Sequence, residues 1–217
     1  MPVDYGPAMT NNALFWDSLA ERYAAQPVAN LDAFERKQAI TRSHLTPDSR
    51  VLEVGCGTGS LALKMAPHAA HIDALDISSE MLRIARGKAD AADVTNVAFR
   101  QAALDEPLPF EPGTFDSVWA YSILHLVADR PALLARLCTM LKPGGTLISS
   151  TVTLGESWIP YRPMLAVMRW AGKAPHVYIV RRDELVQEME AAAFESVETP
   201  DVGAKQIVTF AVARKPA

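Results

Sequence analysis

Cysteine is scarce in this chain: only Cys56 and Cys138 occur in 217 residues. Two cysteines build no disulfide framework, and neither has a partner at the C-x-x-C spacing of a zinc site. Cys138, within LLARLCTML, reads as a small buried hydrophobe, and Cys56 as a residue suited by size to a turn. Long apolar runs are also missing, none approaching the ~20 residues that span a bilayer. The opening MPVDYGPAMTNN lacks the basic stretch and apolar core of a signal sequence. Basic charge is not massed anywhere, and the formal net charge of −4 gives a nucleic-acid partner no electrostatic support. The Arg181-Arg182 pair reads as a solvated or capping feature. These absences predict a cytoplasmic protein with no metal, no nucleic acid and no stable membrane association. They say nothing about oligomeric state.

What is present is ordinary globular material. With 49% hydrophobic and 21% charged residues, the chain can bury the core of one domain, and disorder is excluded. Leu14, Phe15, Leu19 and Tyr23 recur near helical spacing, predicting a helix capped by Asn11 or Asn12 and stopped by Pro27. A second helix is expected over about Leu31 to His44. Strand-like runs then follow at RVLEV, HIDALDI, VAFRQ, FDSVWAYS and GTLISSTV, with helix-like stretches Ser60–Ala66, Ser79–Ala89 and Arg130–Leu141 among them. Such alternation implies βαβ units and a parallel sheet covered on both faces, an open doubly wound α/β fold. A helix in RRDELVQEMEAAAF and two strands close the chain; the link between those strands is too short for a crossover, so the last strand should run antiparallel. Residues 154–180 break the pattern, with Trp158, Tyr161, Trp170 and Tyr178 among methionines, prolines and arginines. This insertion reads either as a lid and substrate wall or as extra core.

One turn carries the chemistry. VLEVGCGTGS ends a strand in three glycines and enters a helix. Gly55, Gly57 and Gly59 permit positive φ and close backbone approach, and the helix start can hold an anion. No lysine is present for a triphosphate, and G-x-G-x-G is not the dinucleotide spacing. Asp76, about twenty residues on at the end of the next strand, suits a ribose diol; its alternative is a helix cap.

With VLEVGCGTGSLAL, ALDISSEMLRIAR, LPFEPGTFDSVWAYSILHLVAD and LKPGGTLI in order over about residues 50–150, the chain resembles the class I S-adenosylmethionine-dependent methyltransferases, in their type 11 small-molecule group. The resemblance implies a Rossmann-like sheet of seven mostly parallel strands. It implies a pocket shaped by Glu53, Gly55, Cys56, Gly57 and Gly59 for the methionine end of S-adenosylmethionine, with Asp76 on the ribose and Ile77 and Met81 beside the adenine. Leu124 and His125 would line the methyl-donor side. The acidic residue that many relatives place near the adenine amino group is replaced here by Ala102-Ala103, so that contact would rest on the Leu104 backbone or Asp105. The implied parts are an N-terminal helical cap (1–46), a cofactor-binding core (47–153), a lid or substrate insertion (154–180) and a C-terminal helix with hairpin (181–217).

A sulfonium favours aromatic faces, for which Trp16, Tyr23 and Tyr121 are candidates. His125, just past the fourth strand, is the best candidate base because an ordinary imidazole titrates near neutrality; its alternative is a structural histidine. His44, His68 and His71 read as surface groups, with His176 an outside candidate. Lys37 and Arg22 could pair with a cofactor carboxylate, solvated helix charge being the competing reading. The segment AYSI lacks the N/D-P-P-Y/F signature of enzymes that methylate base or amide nitrogens, so the expected acceptor is a small, partly hydrophobic molecule. Two rivals stand beside this reading. A non-catalytic S-adenosyl-ligand binder would keep the glycines, and a nicotinamide-dependent oxidoreductase would require motifs the chain lacks.

Overall fold

The computed structural model describes residues 7–27, 29–171 and 174–217. Residues 1–6, part of the opening read above as free of a signal sequence, lie outside them. Two helices come first, α1 (Pro7–Ala24) and α2 (Leu31–Ser43). Helix α1 begins earlier than the asparagine cap predicted, being already helical at Pro7. For α2 the cap is Asn30, whose side chain accepts from the Ala33 N–H at 3.0 Å.

The alternating region follows as β1 (Arg50–Val54), α3 (Ser60–Met65), β2 (His71–Asp76), α4 (Ser79–Ala91), β3 (Val97–Gln101), β4 (Phe115–Tyr121), α5 (Arg130–Met140) and β5 (Leu141–Val152). Then come α6 (Tyr161–Trp170), α7 (Arg182–Ala191), β6 (Ser196–Glu198) and β7 (Val208–Arg214). All seven strands join one sheet in the order β3-β2-β1-β4-β5-β7-β6. The first five pair in parallel, and β7 runs antiparallel between β5 and β6, as the short final link requires. The strand order reverses between β1 and β4, so their carboxyl ends flank the crevice where ligands of open α/β sheets bind.

Side-chain alternation splits the core into two layers. Leu52, Val54, Val118, Ala120 and Leu147 face α5 and α7; Val51, Trp119 and Ile148 face the layer holding Leu61, Met65 and Leu82. Trp119 is fully buried, and its Nε1–H donates to Ser117 Oγ at 3.0 Å, so the indole brings no unpaired donor inside. Cys138 packs in the α5 layer, the small hydrophobe its context predicted. Arg130 ties α5 to α7: its Nη2 donates to Glu188 Oε1 at 2.7 Å, with the Arg130 side chain only 7% exposed. Among the described residues no helix is long and apolar enough to cross a membrane.

Candidate active site

Three left-handed glycines follow β1, with φ of +70°, +53° and +73° at Gly55, Gly57 and Gly59. They differ in what surrounds them. A Cβ on Gly55 would stand 2.8 Å from Ile123 Cγ1, and one on Gly59 would stand 2.9 Å from both Ala85 Cβ and the Phe99 ring. At Gly57 the nearest atom is a Tyr23 ring carbon at 3.9 Å. Gly55 and Gly59 are therefore demanded by packing as well as by φ, whereas Gly57 leaves an open face where a ligand can approach the backbone.

Asp76 holds this turn against the end of β2. Its Oδ2 accepts the Gly57 N–H at 2.7 Å and its Oδ1 the Ser78 N–H at 2.9 Å. Burial raises its pKa, while the N–H groups of Ser78, Gly57 and Ile77 pull it partly back. The cap of α4 is Ser78, which accepts from the Met81 N–H at 3.1 Å, so the capping alternative for Asp76 falls away. Ser78 Oγ–H in turn donates to Asp17 at 2.6 Å, and the same Asp17 oxygen accepts the Glu80 N–H at 3.0 Å. Asp17 thus places a carboxylate on the positive end of α4 and fastens α1 across the turn. Arg83, paired with Glu21 and Glu80, adds a second clasp. Nothing in the local sequence around Asp17 signals this; only the tertiary arrangement brings it there.

Glu53 is the most perturbed carboxyl of the site. It is 2% exposed, and its Oε2 has no hydrogen-bond partner. Burial drives its pKa up to about 8, the Ala62 N–H pulls against that rise, and Asp76 adds to it. A buried, protonatable carboxyl with an unpaired oxygen beside a glycine cradle is poised to meet a cationic group. Cys56, also buried, is held as a neutral thiol well above its ordinary pKa, first by burial and then by the Glu53 and Asp76 charges. Tyr23 lies over Gly57 and is half exposed; desolvation, then Asp76 and Glu53, raise its phenol. Tyr121 turns its hydroxyl to Thr41 Oγ1 at 2.7 Å, and burial raises its pKa. Trp16 instead packs edge-on against Phe15.

Across the crevice, Ser122 adopts φ +56°, a strained conformation for a non-glycine residue, with its N–H donating to Ser150 O at 2.7 Å. It is Ile123 that meets Gly55, not Leu124, which is fully buried in the α5 layer. His125 departs from the near-neutral titration expected of it. It is 8% exposed, its Nδ1 is unpartnered, and burial followed by the Arg130 charge lowers its pKa to about 4. Lys37, offered above to a cofactor carboxylate with solvated helix charge as the competing reading, is half-buried and donates to Ser150 Oγ at 2.8 Å, and burial lowers its pKa. Arg22 is exposed.

Of the residues expected beside an adenine, Ile77 is half-buried with its carbonyl accepting from Gln101, and Met81 and Ala103 are buried. Arg136 donates to the carbonyls of both Leu104 and Glu106.

The sequence pattern described as "Methyltransferase domain" matches residues 51–145, the segment from β1 to the start of β5. The chain belongs, through this core, to the class I S-adenosylmethionine-dependent methyltransferases. Among curated members, a ubiquinone biosynthesis O-methyltransferase of Xanthomonas campestris is 37% identical over 153 residues, 69% of this chain and 60% of that protein. One from Xylella fastidiosa is 31% identical over 174 residues, covering 79% and 66%. The chain therefore spans about 60% of the length of the first of these methyltransferases. Phosphoethanolamine N-methyltransferase 2 of Haemonchus contortus, solved with S-adenosyl-L-methionine, superposes with a TM-score of 0.71 at 18% identity over 85% of this chain and 53% of its own. The [4+2]-cyclase SpnF superposes at 0.66 with 23% identity, covering 85% and 81%. At these identities the superpositions establish the methyltransferase fold alone.

The cradle fits the family's cofactor. Gly57 leaves an open face, Glu53 carries an unpaired buried oxygen and the Asp76 carboxylate borders the same turn, a set of groups chemically suited to an ammonium and to hydroxyls.

Proposed function

We propose that the protein transfers a methyl group from S-adenosylmethionine to a small, partly hydrophobic acceptor, an aromatic hydroxyl of the quinol type being the class that its relatives' names suggest. The observation that carries this reading is the turn at Gly57, open to a ligand and bordered by Asp76 and the buried Glu53. The bound cofactor supplies an electrophilic methyl carbon on a sulfonium.

The chain's part is placement. Gly57 lets the backbone approach the amino-acid end, Glu53 offers an oxygen to its ammonium, and Asp76 keeps lone pairs for ribose hydroxyls while bracing the turn. Tyr23 and Tyr121 supply aromatic surface near Glu53. Alignment of acceptor and methyl carbon is worth at most ~7–11 kcal/mol of effective molarity, which is enough for a displacement reaction to need little else. His125 enters as a neutral imidazole able to hydrogen-bond an acceptor hydroxyl; with a pKa of about 4 it holds a proton poorly near neutrality. The N-terminal helices (within 1–46) cover the cofactor-binding core (47–153), and the 154–180 segment borders the acceptor side.

Calorimetry with S-adenosylhomocysteine and NAD, followed by transfer of a labelled methyl group to a panel of catechols, quinols, tRNA and peptides, tests the reading. Binding of S-adenosylhomocysteine without binding of NAD, and labelling of phenolic acceptors, are expected. Labelling only of tRNA or peptide would overturn the acceptor class. Tight product binding with no turnover on any acceptor would favour a non-catalytic binder.

A further inference from the structure

From Ser157 to Arg182 the chain has no Asp or Glu and five basic residues, Arg162, Arg169, Lys173, Arg181 and Arg182, in a protein of net charge −4. Lys173 lies outside the described residues. The centre of this segment is α6, none of whose residues is buried. Tyr161 and Leu165 are its half-buried side, and Met164, Val167 and Met168, at i, i+3 and i+4, form an exposed apolar stripe. Trp158 before the helix is 92% exposed and Trp170 at its end 89%. Two large indoles standing in water at either end of an apolar stripe are not core material; extra core, one of the two readings of this insertion, is excluded for this stretch.

Both feet of the segment are fixed near the carboxyl ends of β4 and β5. Gly155 N–H donates to Val180 O at 3.0 Å, Tyr178 N–H to His125 O at 2.8 Å, and Arg182 N–H to Glu156 Oε1 at 2.9 Å. Val180 is fully buried. The apolar stripe is thus carried on a tethered arch beside the acceptor side of the crevice.

We infer that α6 and its flanking tryptophans are a reversible docking surface for an anionic lipid bilayer. The amphipathic helix, the interfacial tryptophans and the wholly basic charge are what such a surface selects. A second copy fits less well, because a two-fold contact would set the basic segment against itself. Ten helical residues reach only the headgroup boundary, which agrees with association that is reversible rather than stable. The surface stands apart from the methyl-transfer reading; joined to it, it would bring a membrane-dissolved acceptor to the crevice.

Co-sedimentation of the full chain with phosphatidylcholine vesicles, with and without an equal share of phosphatidylglycerol, tests the inference. Binding to the anionic vesicles, weakened by salt and by omission of phosphatidylglycerol, is expected. Each arginine near the surface contributes enough that R162E/R169E together should lower the partition coefficient by roughly tenfold or more. W158S/W170S should lose binding and also the blue shift of tryptophan emission on vesicle addition, which Trp119, already buried, does not produce. Both pairs lie at exposed positions, so unchanged melting confirms folding. Failure of the intact protein to bind anionic vesicles, or equal binding by W158S/W170S, overturns the inference. A dimer abolished by W158S/W170S, without vesicle binding, assigns the face to a second copy and overturns it too. Calorimetry with S-adenosylhomocysteine on the same samples reports on the cofactor reading separately, since none of these residues touches the glycine turn.

Discussion

Replacing Glu53 by glutamine isolates a single buried carboxyl while keeping its shape. Burial sets this group's pKa near 8 in the fold against 4.5 when exposed. Between those values the folded chain retains a proton that the unfolded chain has released, so raising pH through the window favours unfolding. The stability contribution is complete below about pH 4.5, declines progressively, and levels above about pH 8. At ~1.36 kcal/mol per pH unit the loss has a ceiling of roughly 5 kcal/mol. For a domain of this size ~2–4 °C per kcal/mol is typical, so the ceiling corresponds to roughly 10–20 °C in melting temperature. E53Q has no proton to lose, and its melting temperature should gain on the wild type steadily from pH 5 to pH 8.

Taking the difference between the two proteins cancels other titrations. His125, lowered to about 4, works in the opposite sense: the unfolded chain binds its proton first, so stability falls as pH drops from about 6.5 toward 4. Thermal melts of both proteins in matched buffers across pH 5–9 are the assay. Parallel curves would refute the claim that Glu53 is held protonated. Binding of S-adenosylhomocysteine should supply an ammonium partner and draw the Glu53 pKa down, releasing protons near pH 7.5; E53Q should release fewer.

The glycines separate packing from ligand contact. G59A should cost about 2–5 kcal/mol, combining left-handed strain with overlap at 2.9 Å on Ala85 and Phe99, and should be visible as a large drop in melting temperature. G57A meets no such overlap and should cost only about 1–2 kcal/mol of stability. Its ligand affinity, read by calorimetry, should nevertheless fall tenfold or more as a methyl group enters the open face, by the ~1.4 kcal/mol that one decade represents. D17A removes both hydrogen bonds to the α4 terminus, at about 1–3 kcal/mol, and should raise hydrogen exchange in α1 selectively. E188A leaves Arg130 buried with only the partly exposed Glu184 nearby and should destabilise by about 3 kcal/mol in denaturant titration.

The frame of this protein was legible in the order of its residues. Strand and helix periods are local properties, and RVLEV and VAFRQ became β1 and β3 residue for residue. The glycine turn was legible because only glycine serves where φ is positive and the chain must pass close to other atoms, and Asp76 because it stands at the end of the adjacent strand. The antiparallel β7 followed from the length of a link. What each side chain experiences came instead from the packing of distant segments. Whether an imidazole titrates near 6.5 or near 4 depends on what is packed around it, and His125 is walled in beside Arg130. The reach of Lys37 to Ser150 spans 113 residues of sequence and that of Asp17 to Ser78 spans 61, distances over which no local pattern carries information. The same limit governed residues 154–180. Apolar residues at helical spacing have one sequence signature whether they fill a core or face a surface, and only the fold left those of α6 uncovered.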